Sequence, residues 1–376
     1  VLKTRSLIIL SAIIALLAAC QDTPLVQQRH HAKRKIRKAQ KNLPPVVAAR
    51  DSFCIAAVGD IMLGTSYPDK KTLPPDSAIN SFKNVSDELR SADVAFGNLE
   101  GTLLDTGAPA HYKLHQLSKA YLFRMPQQYA AVLKDAGFNL LSLANNHIGD
   151  FGERGRKVTM KTLDSLGIWY GGQQSHPSAI FKVDGVTYGF CAFAPNSQTL
   201  SILDLQQATT IIQNLKQQCD ILIVSFHGGG EGTLFEHVPF KMESYTNEKR
   251  GDVRAFAHNA VDAGADLVLG NGPHVCRAME VYNDRLIAYS LGNFCTYKCV
   301  SVAGVCGYAP LLKVFVNRKG KFLSGRIMAN IQTHDKGLMP DTLNKAVARI
   351  KALTLADFPQ SRLFIGDDGF IRPLKD

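Results

Sequence analysis

The chain has 376 residues, 45% hydrophobic and 20% charged, which allows a sizeable core and excludes a disordered or low-complexity polymer. Its formal net charge of +11 is concentrated: Arg29, Lys33, Arg34, Lys35, Arg37, Lys38 and Lys41 share one stretch with no acidic residue, and removing those seven leaves +4 for everything else. The body is nearly balanced, which argues against nucleic acid as a partner.

In chain order the first feature is a targeting segment. Lys3 and Arg5 precede an apolar run from Leu7 to Leu17, which leads into Leu17-Ala18-Ala19-Cys20. A run this short does not comfortably span about 30 Å of hydrocarbon, so residues 1–19 read as a lipoprotein signal peptide and Cys20 as the lipidated residue. An uncleaved anchor helix is the alternative, and either reading exports the chain to the cell envelope. Two or three acyl chains hold a protein firmly on a membrane where one binds marginally. Asp22 sits one place too late for an inner-membrane retention signal, which favours a periplasm-facing position on the outer membrane. Residues 20–50 form a basic flexible linker with Pro44-Pro45 near its end. Its cations read as a tether held against anionic lipid, at about 1 kcal/mol each, or as a grip on an anionic polymer.

The folded domain is expected over 51–376. It opens with Phe53-Cys54-Ile55-Ala56-Ala57-Val58, an apolar run of buried-strand length that ends at Gly59-Asp60. Further strands are predicted at Val94 to Phe96, Leu140 to Leu143, Tyr188 to Phe193, Ile221 to Phe226, Leu267 to Leu269, Leu286 to Tyr289 and Leu311 to Val316. Helical spacing is seen in Gln127 to Ala136, Glu153 to Leu166, Asp204 to Gln218, Gly251 to Ala263 and Thr342 to Leu353. Alternating helices and continuous apolar strands predict an α/β fold with helices covering the sheet. Cys54 and Cys191 read as small buried apolar residues. Cys295, Cys299 and Cys306 cluster in one loop, where a local disulfide is expected rather than a zinc site, since no neighbouring histidine completes a ligand set.

Polar residues recur where these strands end. Asp60 follows the first, Asn98 and Glu100 the second, and Asn145, Asn146 and His147 the third, with Asp150 one turn later. His227 with Glu231, and then His274, follow two later strands. Ligands in α/β sheets bind outside the carboxyl ends of strands, so these loops are expected to converge. Carboxylate and amide oxygens with imidazole nitrogens suit manganese, iron or zinc, and such sites drive displacement at phosphorus. Thr102, Ser225 and Ser290 lack the base pattern of a serine hydrolase. Gly171-Gly172 and Gly228-Gly229-Gly230 lack the lysine of a phosphate-binding loop. His111 and His115 read as surface residues.

The series Val58-Gly59-Asp60-Ile61-Met62-Leu63-Gly64, Asn98-Leu99-Glu100-Gly101, Ala144-Asn145-Asn146-His147 with Asp150, His227-Gly228 with Glu231, Pro273-His274-Val275 and Ser290-Leu291-Gly292-Asn293-Phe294 resembles the CapA family of poly-γ-glutamate capsule biosynthesis proteins, within the calcineurin-like metallophosphoesterase superfamily. The resemblance implies a four-layer α/β/β/α sandwich with a metal site at one edge. It implies Asp60, Glu100, Asn146, His227 and His274 as ligands to one or two divalent ions, with His147 as general acid and Asp150 and Glu231 as further catalytic residues. Two departures stand out. Met62 occupies the histidine position of the first motif, and Asn271 or Gly272 that of the last, so each ion loses one nitrogen ligand. The implied function is a membrane-anchored, phosphoesterase-like hydrolase acting on an anionic envelope polymer or phosphorylated precursor, beside capsule synthesis or export proteins. A non-catalytic accessory or polymer-binding subunit with a degenerate metal site is the alternative, and a nucleotide phosphatase a third candidate.

Overall fold

The structure is a computed structural model and describes residues 50–114, 121–334 and 337–374. The expected signal at 1–19, Cys20 and the linker before Arg50 lie outside the described residues, as does His115. The folded unit runs from Asp51 to Asp376.

β1 (Phe53–Met62) is buried along its whole length. Successive strand residues point to opposite faces. Ile55 and Ala57 therefore enter the core between two sheets, while Ala56 and Val58 face the helices outside. β2 (Val94–Leu99), β3 (Leu140–Ser142) and β4 (Trp169–Gly171) lie beside it, all parallel. The chain then builds a second sheet from β5 (Ser178–Val183), β6 (Val186–Ala194), β7 (Ile221–His227), β8 (Leu267–Asn271), β9 (Met279–Tyr282) and β10 (Arg285–Ala288), with β6, β7, β8 and β10 parallel. β11 (Asn293–Thr296) returns to pair with the end of β1, and β12 (Leu311–Val316), β13 (Phe322–Met328), β14 (Leu363–Ile365) and β15 (Phe370–Pro373) complete the first sheet.

Helices cover both outer faces. α1 (Tyr129–Ala136) and α2 (Gly152–Ser165) bury Leu133 and Leu163 against the first sheet. α3 (Leu205–Lys216) and α4 (Val253–Asp262) bury Ile212 and Phe256 against the second. Each of the latter pair starts at an aspartate whose carboxylate accepts a first-turn backbone N–H: Asp204 from Gln207 and Asp252 from Ala255, both at 2.9 Å. α5 (Lys345–Asp357) packs at the edge, starting three residues later than the expected Thr342 because Asn344 takes a left-handed φ of 50°. The four layers are helix, sheet, sheet, helix, as the motifs implied.

The core between the sheets is continuous, and Phe96 packs on Phe190 across it with ring centroids 5.7 Å apart. Phe96→Ala is expected to cost about 3–5 kcal/mol, read as a lowered denaturation midpoint with an unchanged slope.

The cysteines depart from expectation. Cys295, Cys299 and Cys306 are each unbridged, so the loop disulfide expected among them is not formed. Cys295 is held on β11, packed in the outer core with its thiol donating to the Ser81 carbonyl at 3.3 Å, while Cys299 packs in a separate apolar cluster. Cys54 and Cys191 are buried, as expected.

Candidate metal centre and adjoining cleft

Because β1, β2, β3, β7 and β8 run parallel within their sheets, their carboxyl ends share one edge of the sandwich. Gly59 allows the approach that places Asp60: a side chain there would collide with the Gly292 backbone, whose carbonyl accepts from Asp60 N at 2.9 Å. Asp60 is fully buried. Its Oδ1 accepts from Asn98 Nδ2 at 2.8 Å, and its Oδ2 lies 3.1 Å from His274 Nδ1. His274 Nε2 in turn is 3.6 Å from Glu100 Oε1. Asp60, Glu100 and His274 thus offer ligand atoms within 4.8 Å of one another.

Asn293 fixes the His274 loop. Its Oδ1 lies 2.9 Å from His274 Nδ1, and its Nδ2 donates to the carbonyls of His274, Ser301 and Cys306 at 3.1–3.2 Å. His274 takes a φ of +59°, a conformation that costs a non-glycine residue about 1–3 kcal/mol and persists where surrounding contacts enforce it.

His227, also expected as a ligand, stands outside this cluster. Its Nδ1 lies 3.3 Å from Asn98 Nδ2 and its Nε2 lies 3.4 Å from Arg250 Nη2. Burial, then the Arg250 charge, hold its pKa well below the ordinary imidazole value, so the ring is neutral. Asn146 lines a neighbouring cleft; its carbonyl Oδ1 is buried without a hydrogen-bond partner, and its backbone carbonyl accepts from Lys113 Nζ at 3.2 Å. Asn145 ties two loops together, donating to Asn98 Oδ1 at 3.2 Å and to the Leu99 carbonyl at 2.9 Å.

His147 faces the cluster from the cleft side, with Nε2 3.9 Å from Glu100 Oε1 and the ring stacked on Phe123 at 4.1 Å. Two residues grouped with it from the sequence have other contacts. Asp150 is a positioning residue: its Oδ2 holds His147 Nδ1 and accepts from Phe123 N, both at 2.8 Å, and its Oδ1 pairs with Lys113 Nζ at 2.8 Å. The Glu231 carboxylate pairs with Arg250 Nη2 at 2.8 Å. The cleft has a volume of about 640 Å³, and its lining includes Tyr112, Lys113, Asn146, His147, Tyr245 and Arg250. Asn98 was expected at the site among the strand-end polar residues, but not as the link between Asp60 and His227; Asn293, Lys113 and Arg250 were given no role by sequence reasoning.

The donor set fits a divalent cation. Both carboxylate oxygens of Glu100 are buried without a hydrogen-bond partner among the described residues, an arrangement that is costly unless a cation completes it. Oxygen and imidazole donors match manganese, iron or zinc. Burial pushes the Glu100 carboxyl up to about 7 against the pull of His274. For His274 burial favours the neutral ring, but the Glu100 and Asp60 carboxylates outweigh it and raise the pKa to about 10. An ion binding here must displace the His274 proton, and below about pH 7 the Glu100 proton as well, so affinity rises with pH. Manganese affinity is therefore expected to climb from about pH 6 to about pH 8 with proton release measurable by calorimetry; a pH-independent affinity contradicts the assignment.

Paired central sheets, helices on both outer faces and a carboxylate–imidazole cluster at the strand ends define an α/β/β/α sandwich with a candidate metal centre at one edge. Residues 54–298 match the family of bacterial capsule synthesis proteins, PGA_cap, and the chain belongs to it. The chain is similar to PGA biosynthesis protein CapA of Bacillus subtilis (strain 168), 33% identical over 260 residues that cover 65% of this chain and 63% of that one. It is also similar to capsule biosynthesis protein CapA of Bacillus anthracis, 28% identical over 290 residues, 72% of this chain and 66% of that one. The chain thus spans just under two thirds of the length of these relatives. Among solved structures there is a loose likeness to the 5'-nucleotidase precursor of Thermus thermophilus, with 13% identity and a TM-score of 0.43 over 81% of this chain and 59% of that one.

Proposed function

We propose that this chain carries a divalent-metal hydrolase centre that acts on a phosphorylated precursor or other anionic intermediate of capsule-type polymer synthesis. The observation that carries the reading is Glu100, a buried carboxylate with neither oxygen hydrogen-bonded, within ligand distance of Asp60 and His274. A bound divalent ion would supply Lewis-acid polarisation of a phosphoryl oxygen. The protein's own groups supply the rest. Asp60, Glu100 and His274 hold the ion, and Asn293 and Gly292 keep two of those ligands in place. His147, oriented through Nδ1 by Asp150, presents Nε2 to the cleft as the proton donor for a leaving oxygen. Lys113, Lys249 and Arg250 give the cleft positive groups, and Tyr112 and Tyr245 form part of its walls.

The tether belongs to the same proposal. Among the described residues no helix is long and apolar enough to cross a membrane. Attachment is assigned to a lipid on Cys20, with residues 20–50 spanning from a periplasm-facing surface, outer membrane favoured, to the folded unit. That position suits work on an envelope polymer beside its synthesis or export proteins, and the names of the Bacillus relatives point to the same class of polymer.

The experiment is metal analysis of the purified protein with an assay on aryl phosphates before and after chelation. The proposal expects bound manganese, iron or zinc and turnover that chelation removes and the metal restores. Bound metal without hydrolysis of any phosphate ester favours an accessory subunit. A protein that takes up none of the three metals sinks the metal centre altogether.

A further inference from the structure

Resting on the metal-centre reading above, we infer that the site takes a single divalent ion at Asp60, Glu100 and His274, and that the Arg250 guanidinium occupies the place of a second cation on the His227 side. Charge is the first argument. Two carboxylates, Asp60 and Glu100, have no arginine or lysine partner among the described residues and balance one divalent ion. The nearby carboxylates of Glu231 and Asp150 are paired at 2.8 Å with Arg250 and Lys113. A second divalent ion would leave its charge uncompensated among buried groups, an expensive arrangement.

The second argument is where the amide and guanidinium groups lie. Between Asp60 and His227 the structure places an amide: Asn98 Nδ2 is 2.8 Å from Asp60 Oδ1 and 3.3 Å from His227 Nδ1. Both ring nitrogens of His227 are thus faced by N–H groups, Nδ1 by the Asn98 amide and Nε2 by Arg250 Nη2 at 3.4 Å. Arg250 is buried, anchored by Nε to the Gly229 carbonyl at 3.0 Å as well as to Glu231. Asn271 and Asn146 each offer a buried amide oxygen with no hydrogen-bond partner among the described residues, but these are neutral and balance none of a second ion's charge. Gly272 cannot supply a replacement ligand. It has a φ of +112°, and a Cβ there would lie 2.9 Å from Gly228 N and 3.2 Å from His227 Cδ2. An anionic substrate in the cleft therefore meets a fixed guanidinium where a two-ion centre would present a metal.

Manganese titration of the wild-type chain, followed by electron paramagnetic resonance and by bound-metal stoichiometry, tests this without an activity assay. The inference expects saturation at one equivalent with the hyperfine pattern of an isolated ion. Two equivalents with an exchange-coupled spectrum overturn it. Arg250→Met, which frees His227 and Glu231, is expected to gain a second, weaker equivalent, while Arg250→Lys stays at one; a folded R250M that still binds one ion refutes the role given to Arg250. If R250M does not fold, the wild-type spectrum decides. A wild-type chain that binds no ion instead removes the metal centre itself, and this inference with it.

Discussion

Asp60→Asn is expected to lower divalent-metal affinity by more than about 100-fold, beyond the 10–100-fold typical of changes to a ligand's outer partners. The substitution keeps shape and volume but removes one of two buried carboxylates available to the ion. It also places an NH2 group against either Asn98 Nδ2, now 2.8 Å from Oδ1, or His274 Nδ1, now 3.1 Å from Oδ2. The metal-free fold should survive, because β1 stays buried on both faces and the Asp60 backbone bond to Gly292 is untouched. Calorimetric titration with manganese, alongside circular dichroism of the metal-free variant, checks both halves. Wild-type affinity in D60N would remove Asp60 from the ligand set.

The second large effect is expected at His147. His147→Ala should reduce turnover of a phosphate ester by about 100- to 10,000-fold, the range for loss of a positioned acid, while metal content stays at the wild-type level. The ring faces Glu100 from 3.9 Å but is not part of the Asp60, Glu100 and His274 cluster. The loss should be smallest for substrates whose leaving oxygen needs no proton, such as nitrophenolate. Equal losses for good and poor leaving groups would contradict a proton-donating role. Asp150→Asn should show a weaker form of the same pattern, since it acts only through the His147 Nδ1 contact at 2.8 Å.

The layers and the strand ends were legible in the sequence because the same physics writes both. A strand buried on two faces is a continuous apolar run, and the polar residue closing that run marks the sheet edge: Asp60 near the end of β1 and His227 at the end of β7 are of this kind. Which polar residue points where was not legible. Asn98 and Glu100 differ by two positions, a strand's side-chain period, so pattern alone cannot rank them. The structure sets Asn98 between Asp60 and His227 and turns Glu100 toward His274 and His147. Arg250 left no local signal, since its partner His227 lies 23 residues away and no regular spacing links them. Edge strands such as β5 and β9 were missed because part of their surface faces solvent and breaks the apolar run. The expected disulfide failed for a related reason: cysteine spacing does not reveal that β11 fixes Cys295 in a core away from Cys299.

The most direct test of the central claim is anomalous diffraction at the manganese edge from crystals of the full chain grown with manganese. A single peak is expected, bounded by the Asp60 carboxylate, the Glu100 carboxylate and the His274 imidazole. Full manganese occupancy elsewhere, with nothing between those three side chains, would contradict it.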